Sequence, residues 1–390
     1  GGKRRRRAVR PGGGGGAGLR ARPLPPGTAQ LAGAGPRGRV GAGAAVTGIS
    51  GCFPDVGGSW PEVEATCQQS DAGVGVQAPS RVVEVFREDS VTDLTGDDSD
   101  AVKMAVNGQV VRPMLDELLL SLSEGAANPW LDILPDFHPS MRIGIKVNCL
   151  NEMVPTSVAL VKALVESLRE SLDIDGQQIL VWDRRLDEMV PAAPRKLFDA
   201  EELGVRVVGT VNSAGSTSGP GYSEPICGEV AGRMPRLSRI ITDMTDATIN
   251  CPVLKTHGIS GVTAALKNIY GIIDNPGEYH DNLSDALPAL YNLPPIRNHI
   301  RLTILDALIA VTTGNTDAPP DTYPGRIVAS RDPLALDRYA VDLVNRLRAE
   351  KQLDLPEVSS SVLKWLDNGR ELGLGSLRYD LHRLGDESDV

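Results

Sequence analysis

The chain has 390 residues, 41% of them apolar and only 4% aromatic, so it can bury a substantial core built mainly from Leu, Val, Ile and Ala. Its formal charge of −10 is uneven: residues 1–50 hold ten Lys or Arg and no Asp or Glu, which leaves 30 basic against 50 acidic residues in 51–390, a net of −20. A body that acidic lacks the basic footprint of a nucleic-acid binder, and no run of about 18 apolar residues is present to span a membrane as a helix.

Residues 1–50 are Gly, Ala, Arg and Pro with little to bury, and a disordered Gly/Arg-rich segment is expected there. The Arg4–Arg7 run resembles the basic head of a twin-arginine export signal, but no apolar stretch follows it. Three alternatives stand for residues 1–79: a degraded export signal, a basic tail, or a mis-called start or reading frame. Localisation is correspondingly open between the cytoplasm and export. The five cysteines, Cys52, Cys67, Cys149, Cys227 and Cys251, include no CxxC pair, so no iron–sulfur cluster, structural zinc site or disulfide framework is expected.

Folded-protein patterning begins near Ser80, where SRVVEVFRED alternates as a strand does. Ala105 to Val111 predicts a weak strand, Met114 to Leu122 a helix, and Trp130 to Phe137 a loop or short helix. Met141 to Leu150 predicts a strand interrupted by Lys146 and ending at Asn148. Lys146 is either an anion-facing group at the strand's end or an edge residue with its stem buried. A helix over Thr156 to Leu172, a strand over Gln178 to Trp182 ending at Asp183, a helix over Pro194 to Leu203 and a strand over Val205 to Val211 complete a βαβαβ run. Such a run implies a mainly parallel sheet flanked by helices, with Asn148 and Asp183 at the carboxyl ends of strands.

The stretch Ile249 to Gly271, INCPVLKTHGISGVTAALKNIYG, organises the rest. An apolar run leads to Lys255, Thr256 and His257; Gly258 and Gly261 follow, and a helical pattern through Val262, Ala265, Leu266 and Ile269 carries Lys267 and Asn268. Open α/β sheets place their ligands where strands end in polar residues. Lys255 and His257, two apart on an extended segment, share one side of it. An ammonium beside an imidazole keeps the latter neutral near pH 7, able to take a proton or bind a metal. Further on come a polar turn with His280, a helix over Leu283 to Leu290 and a strand from His299 ending at Asp306. An irregular loop with Asn315, a strand over Arg326 to Ser330, and a helix opened by Asp332 and Pro333 follow. Asp337 lies one turn into that helix. A last helix is expected within 355–372, ahead of an acidic tail.

GIKVN at 144–148, Trp182 with Asp183, CPVLKTH at 251–257, ALKNIYG at 265–271, LDAL at 305–308, the Gly314–Asn315 pair and VASRDPLALD at 328–337 together resemble the domain of unknown function 362 family. The resemblance spans roughly residues 80–350 and implies an α/β fold for that span; patterning alone makes 351–390 a C-terminal helix and acidic tail. Some members carry ferredoxin-type cysteine clusters and are described as iron–sulfur proteins; this chain lacks such clusters, so that cofactor does not carry over. The resemblance implies no reaction, and whether the protein is an enzyme stays open.

Two chemistries fit the residues. In the first, a small anionic molecule sits at the carboxyl ends of the strands, held by Lys146, Asn148, Asp183, Lys267, Asn268, Asn315 and Asp337. His257, Lys255 and Asp306 then do any catalysis. In the second, His257, Asp306 and His280 gather one divalent metal ion. Against both stands a non-catalytic module in which these groups complete buried hydrogen bonds. The oligomeric state is not legible.

Overall fold

A computed structural model describes residues 78–92, 106–191, 197–225, 228–353 and 363–386. The strands are β1 (Ser80–Phe86), β2 (Ile143–Lys146), β3 (Ile179–Arg185), β4 (Arg206–Val211) and β5 (Ala247–Asn250), then β6 (Val253–His257), β7 (Gly261–Thr263), β8 (Ile300–Val311), β9 (Arg326–Ser330) and β10 (Tyr379–Gly385). The helices are α1 (Gly108–Leu122), α2 (Pro129–Ile133), α3 (Val158–Leu172), α4 (Leu186–Met189) and α5 (Ala200–Leu203), followed by α6 (Ala265–Asn268), α7 (Leu283–Tyr291), α8 (Pro294–Arg297), α9 (Pro333–Glu350) and α10 (Lys364–Glu371).

One sheet runs in the order β10-β1-β9-β8-β5-β2-β3-β4, with β6 beside the later half of β8 and β7 beside β6. Among the described strands only β9 and β7 run against the others, so the sheet is mostly parallel. Its strands are nearly continuous apolar runs because both faces are covered. Ile143, Ile145, Val181 and Ile249 pack with α1, α2 and α3 on one face. Leu180, Trp182, Leu305 and Val328 pack with α7, α9 and α10 on the other. Among the described residues no helix is long and apolar enough to cross a membrane.

The chain moves outward from β2 through β3 to β4, then returns to lay β5 on the other side of β2 and continues to β8. The strand order therefore reverses between β2 and β5, the kind of position at which open α/β sheets take ligands. Lys146 and Asn250, the last residues of these strands, are register partners across the reversal.

The structure corrects several expectations. Val106 forms an isolated bridge with Val91, but from Gly108 the predicted weak strand is the first turn of α1, because the Asn107 side chain accepts from Gln109 N and caps it. Within the helix expected over 194–203, the described helical residues are α5, opened by Asp199 accepting from Glu201 N and Glu202 N. The pattern through Val262 belongs to a β6–β7 hairpin and only then to a four-residue helix; Gly261, at φ 76°, makes the reversal. β8 runs through Asp306 to Val311, since Leu302–Val311 is continuously buried. β10 was not anticipated. The N-terminal expectations, including the Gly/Arg-rich segment and Arg4–Arg7, fall outside the described residues, as do Cys52, Cys67 and Cys227.

Candidate functional site

Two loops follow the strand-order reversal, one after β2 and one after β5. Thr156 ties them together: its hydroxyl donates to Cys251 O at 2.8 Å and accepts from Asn148 N at 2.8 Å. Lys146 lies on the same face of β2 as Gly144, opposite Ile143 and Ile145, and its ammonium turns to Asp183 Oδ1 at 2.7 Å and Val147 O at 2.6 Å. Asp183 also accepts from Cys149 N and Arg184 N. Gly271 closes over this ion pair, since a Cβ there would lie 2.7 Å from Lys146 Nζ and 2.9 Å from Asp183 Oδ1. Lys146 and Asp183 thus satisfy one another, which accounts for a lysine inside a strand.

Beside them runs a chain of amides. Lys255 Nζ donates to Asn148 Oδ1 at 2.9 Å, Asn148 Nδ2 to Asn268 Oδ1 at 3.0 Å, and Asn268 Nδ2 to Asn250 Oδ1 at 2.8 Å. Asn250 Nδ2 ends the chain on Ala265 O at 3.1 Å. Each carbonyl accepts and each amide donates, so the direction of the network is set by the ammonium at its head. Lys255 makes no ion pair among the described residues, and the Asn148 bond occupies one of its three donors. Burial pushes its pKa down to about 8, although Asp183 and Asp306 act on it in the opposite sense through space.

A third group lies after the hairpin. Lys267 Nζ sits 3.6 Å over the centroid of the Tyr270 ring and 3.2 Å from His280 Nε2. His280 Nδ1 faces Gly277 O at 3.3 Å, so this ring carries its proton on Nδ1 and accepts at Nε2. The His257 and His280 rings stack at 5.8 Å, inclined by 9°. Burial lowers Lys267 from its ordinary 10.5 to about 7. The cation–π contact with Tyr270 acts in the opposite sense, favouring the ammonium. His257 is held down to about 4 by burial first, then by Lys267 and His280, and is neutral at pH 7. Its Nδ1 accepts from Ile259 N at 3.0 Å and Ser260 N at 3.2 Å, fixing the hairpin turn.

The expected residues therefore fall into three contacts: Lys146 with Asp183, Lys255 with Asn148 and Asn268, and Lys267 with His280 and His257. Others stand apart. Asp306 is buried in mid-strand and accepts from Ser157 N and Leu308 N, anchoring the entry to α3; burial raises its pKa to about 6. Asp337, also buried, accepts from Ala265 N at 2.5 Å and Leu266 N at 3.0 Å and so caps α6. Asn315 accepts from Gly258 N at the hairpin turn. The trio of His257, Asp306 and His280 does not form a metal site, and among the described residues no three His, Cys, Asp or Glu side chains do. Sequence patterning overlooked Asn250, Thr156 and Tyr270. Asn250 carried a signal, a polar residue closing an apolar strand; the other two look ordinary in sequence.

A search of curated proteins found no match. A crystal structure of a protein from Thermotoga maritima, solved by a structural genomics consortium, is similar at 12% identity with a TM-score of 0.34, over 67% of this chain and 61% of that one. The chain thus spans less than two thirds of that protein, and the likeness is too distant to carry an argument. The family model described as domain of unknown function (DUF362) matches residues 143–342, a span that holds every site residue from Lys146 to Asp337. The chain belongs to that family.

Proposed function

We propose that the protein binds a small anionic molecule in a polar cleft at the carboxyl ends of β2 and β5. One observation carries this: Lys255 is a buried ammonium that, among the described residues, has no carboxylate in contact and donors left over. A buried cation whose one hydrogen-bond partner is a neutral amide is costly, and an anionic ligand offsets that cost. The position agrees, since the reversal of strand order between β2 and β5 is where sheets of this kind take ligands. Asn148 orients the ammonium, Asn268 orients Asn148, and Asn250 orients Asn268.

The test is a thermal-shift and calorimetric screen with inorganic phosphate and small mono- and dicarboxylates. At least one anion should raise Tm. Lys255→Ala should weaken its binding by about 10- to 100-fold, the worth of a charge-assisted hydrogen bond. Indifference of the wild-type protein to every anion, or unchanged binding by Lys255→Ala, overturns the proposal.

A further inference from the structure

We infer that Lys267 is a nucleophilic amine that condenses reversibly with the carbonyl carbon of a small oxo acid to form a Schiff base. The inference rests on the anion-binding reading only for the acid group, not for the carbonyl chemistry.

Of the three buried lysines among the described residues, Lys146 and Lys255 are each 1% exposed, whereas Lys267 keeps 8% of its surface. Lys146 is neutralised by Asp183, and a paired ammonium is a poor nucleophile. Lys267 has no carboxylate partner among the described residues. Its hydrogen-bond acceptor is an imidazole nitrogen, His280 Nε2, at 3.2 Å, within reach for proton transfer. His280 is held in the accepting tautomer by Gly277 O and braced by His257 on one face and the Tyr270 edge. An amine desolvated against an aromatic ring, with a base in hydrogen-bond contact, is the arrangement that activates lysine. Its lowered proton affinity agrees with this.

The step balances without an oxidant or reductant. His280 Nε2 takes a proton from the ammonium, and the freed Nζ lone pair forms a bond to the carbonyl carbon. The C=O π pair moves to oxygen, which takes that proton back from the imidazolium. His280 Nε2 then relays the second Nζ proton to the hydroxyl, which leaves as water as the nitrogen lone pair forms the C=N bond, giving the protonated imine. Overall, an amine and a carbonyl yield a C=N bond and one water.

The experiment traps the imine in the full chain with glyoxylate and cyanoborohydride, which supplies the hydride, followed by digestion and peptide mapping. Near pH 7, Lys267 should be alkylated about tenfold or more faster than the exposed Lys162 and Lys364. His280→Gln should lower that rate several-fold while Lys162 and Lys364 are unaffected. Labelling of Lys267 at the rate of Lys162 and Lys364 in the folded wild-type protein, or no effect of His280→Gln, overturns the inference. Propanal, a neutral aldehyde, separates the two proposals. Equal trapping by propanal and glyoxylate keeps the nucleophile and counts against the acid group. Anion-induced Tm shifts without trapping keep the anion site and remove the nucleophile.

Discussion

An ammonium that loses its carboxylate inside a sheet cannot return its charge to water, so Lys146 and Asp183 stand or fall together. Asp183→Ala strands the buried Lys146 cation and also orphans Cys149 N, and should destabilise the protein by about 3–5 kcal/mol in urea unfolding. Replacing both, as Lys146→Met with Asp183→Leu, should cost much less, because no charge is left behind. A single-variant loss under about 1 kcal/mol would mean that water reaches the pair. Lys255 and Lys267 behave differently, since their partners are neutral. Their folded pKa values, about 8 and about 7, lie below the ordinary 10.5. Folding thus favours their deprotonated forms, and that stability is present above pH 10.5 and lost as the pH falls through 8 and 7. Asp306 and Asp337 have the opposite sign: raised to about 6 and about 7, they contribute stability below pH 3.8 that is lost as the pH rises through those values. The ligand-free protein should therefore gain stability from pH 7.5 to pH 9.5, and Lys255→Met with Lys267→Met should flatten that gain. A rise of equal slope in wild type and double variant would disprove the assignment.

At the level of elements, α6 is too short to hold itself, since four residues form barely one turn and leave its first amides without intrahelical partners. Asp337, reaching from α9, accepts from two of them in a buried setting. Asp337→Ala should cost about 2–4 kcal/mol, more than the ~1 kcal/mol expected for Asn107→Ala at the solvent-facing cap of α1. Hydrogen exchange at Ala265 and Leu266 should accelerate with it; unchanged protection there would deny Asp337 this role. The same element shows what sequence can and cannot reveal. The strands β1 and β9 and the helices α3 and α9 were legible, because apolar period and cap chemistry agree locally over many residues. Lys255, Lys267 and Asn268 were legible as polar groups in an apolar setting. The hairpin was not, because Val262, Ala265, Leu266 and Ile269 all enter one core and mimic a helical stripe although the chain reverses at Gly261. Asp337 was misread for a related reason: nothing local to α9 says that its carboxylate serves amides 72 residues away.

For the whole molecule, the two ends of the sheet are closed differently. β4 forms one edge, and on the other β10 covers β1, pairing with it in parallel from Ser80–Tyr379 to Phe86–Gly385. The Tyr379 hydroxyl donates to Asp342 at 2.8 Å and its ring meets Tyr339 edge-on, so β10 is also fastened to α9. Removing residues from Tyr379 onward would leave β1 with unpaired amides and carbonyls along an apolar strand, a template for another chain. The truncated protein should therefore self-associate in sedimentation velocity and lose stability. In the strand order, β9 and β8 stand between β1 and the β5–β2 junction, so the proposed anion site is remote from that edge. Anion affinity per folded molecule should then match that of the full chain. A monomeric truncation of unaltered stability would show that β1 is protected without β10, and a folded truncation with lost anion binding would mean that the edge and the proposed anion site are coupled through the sheet.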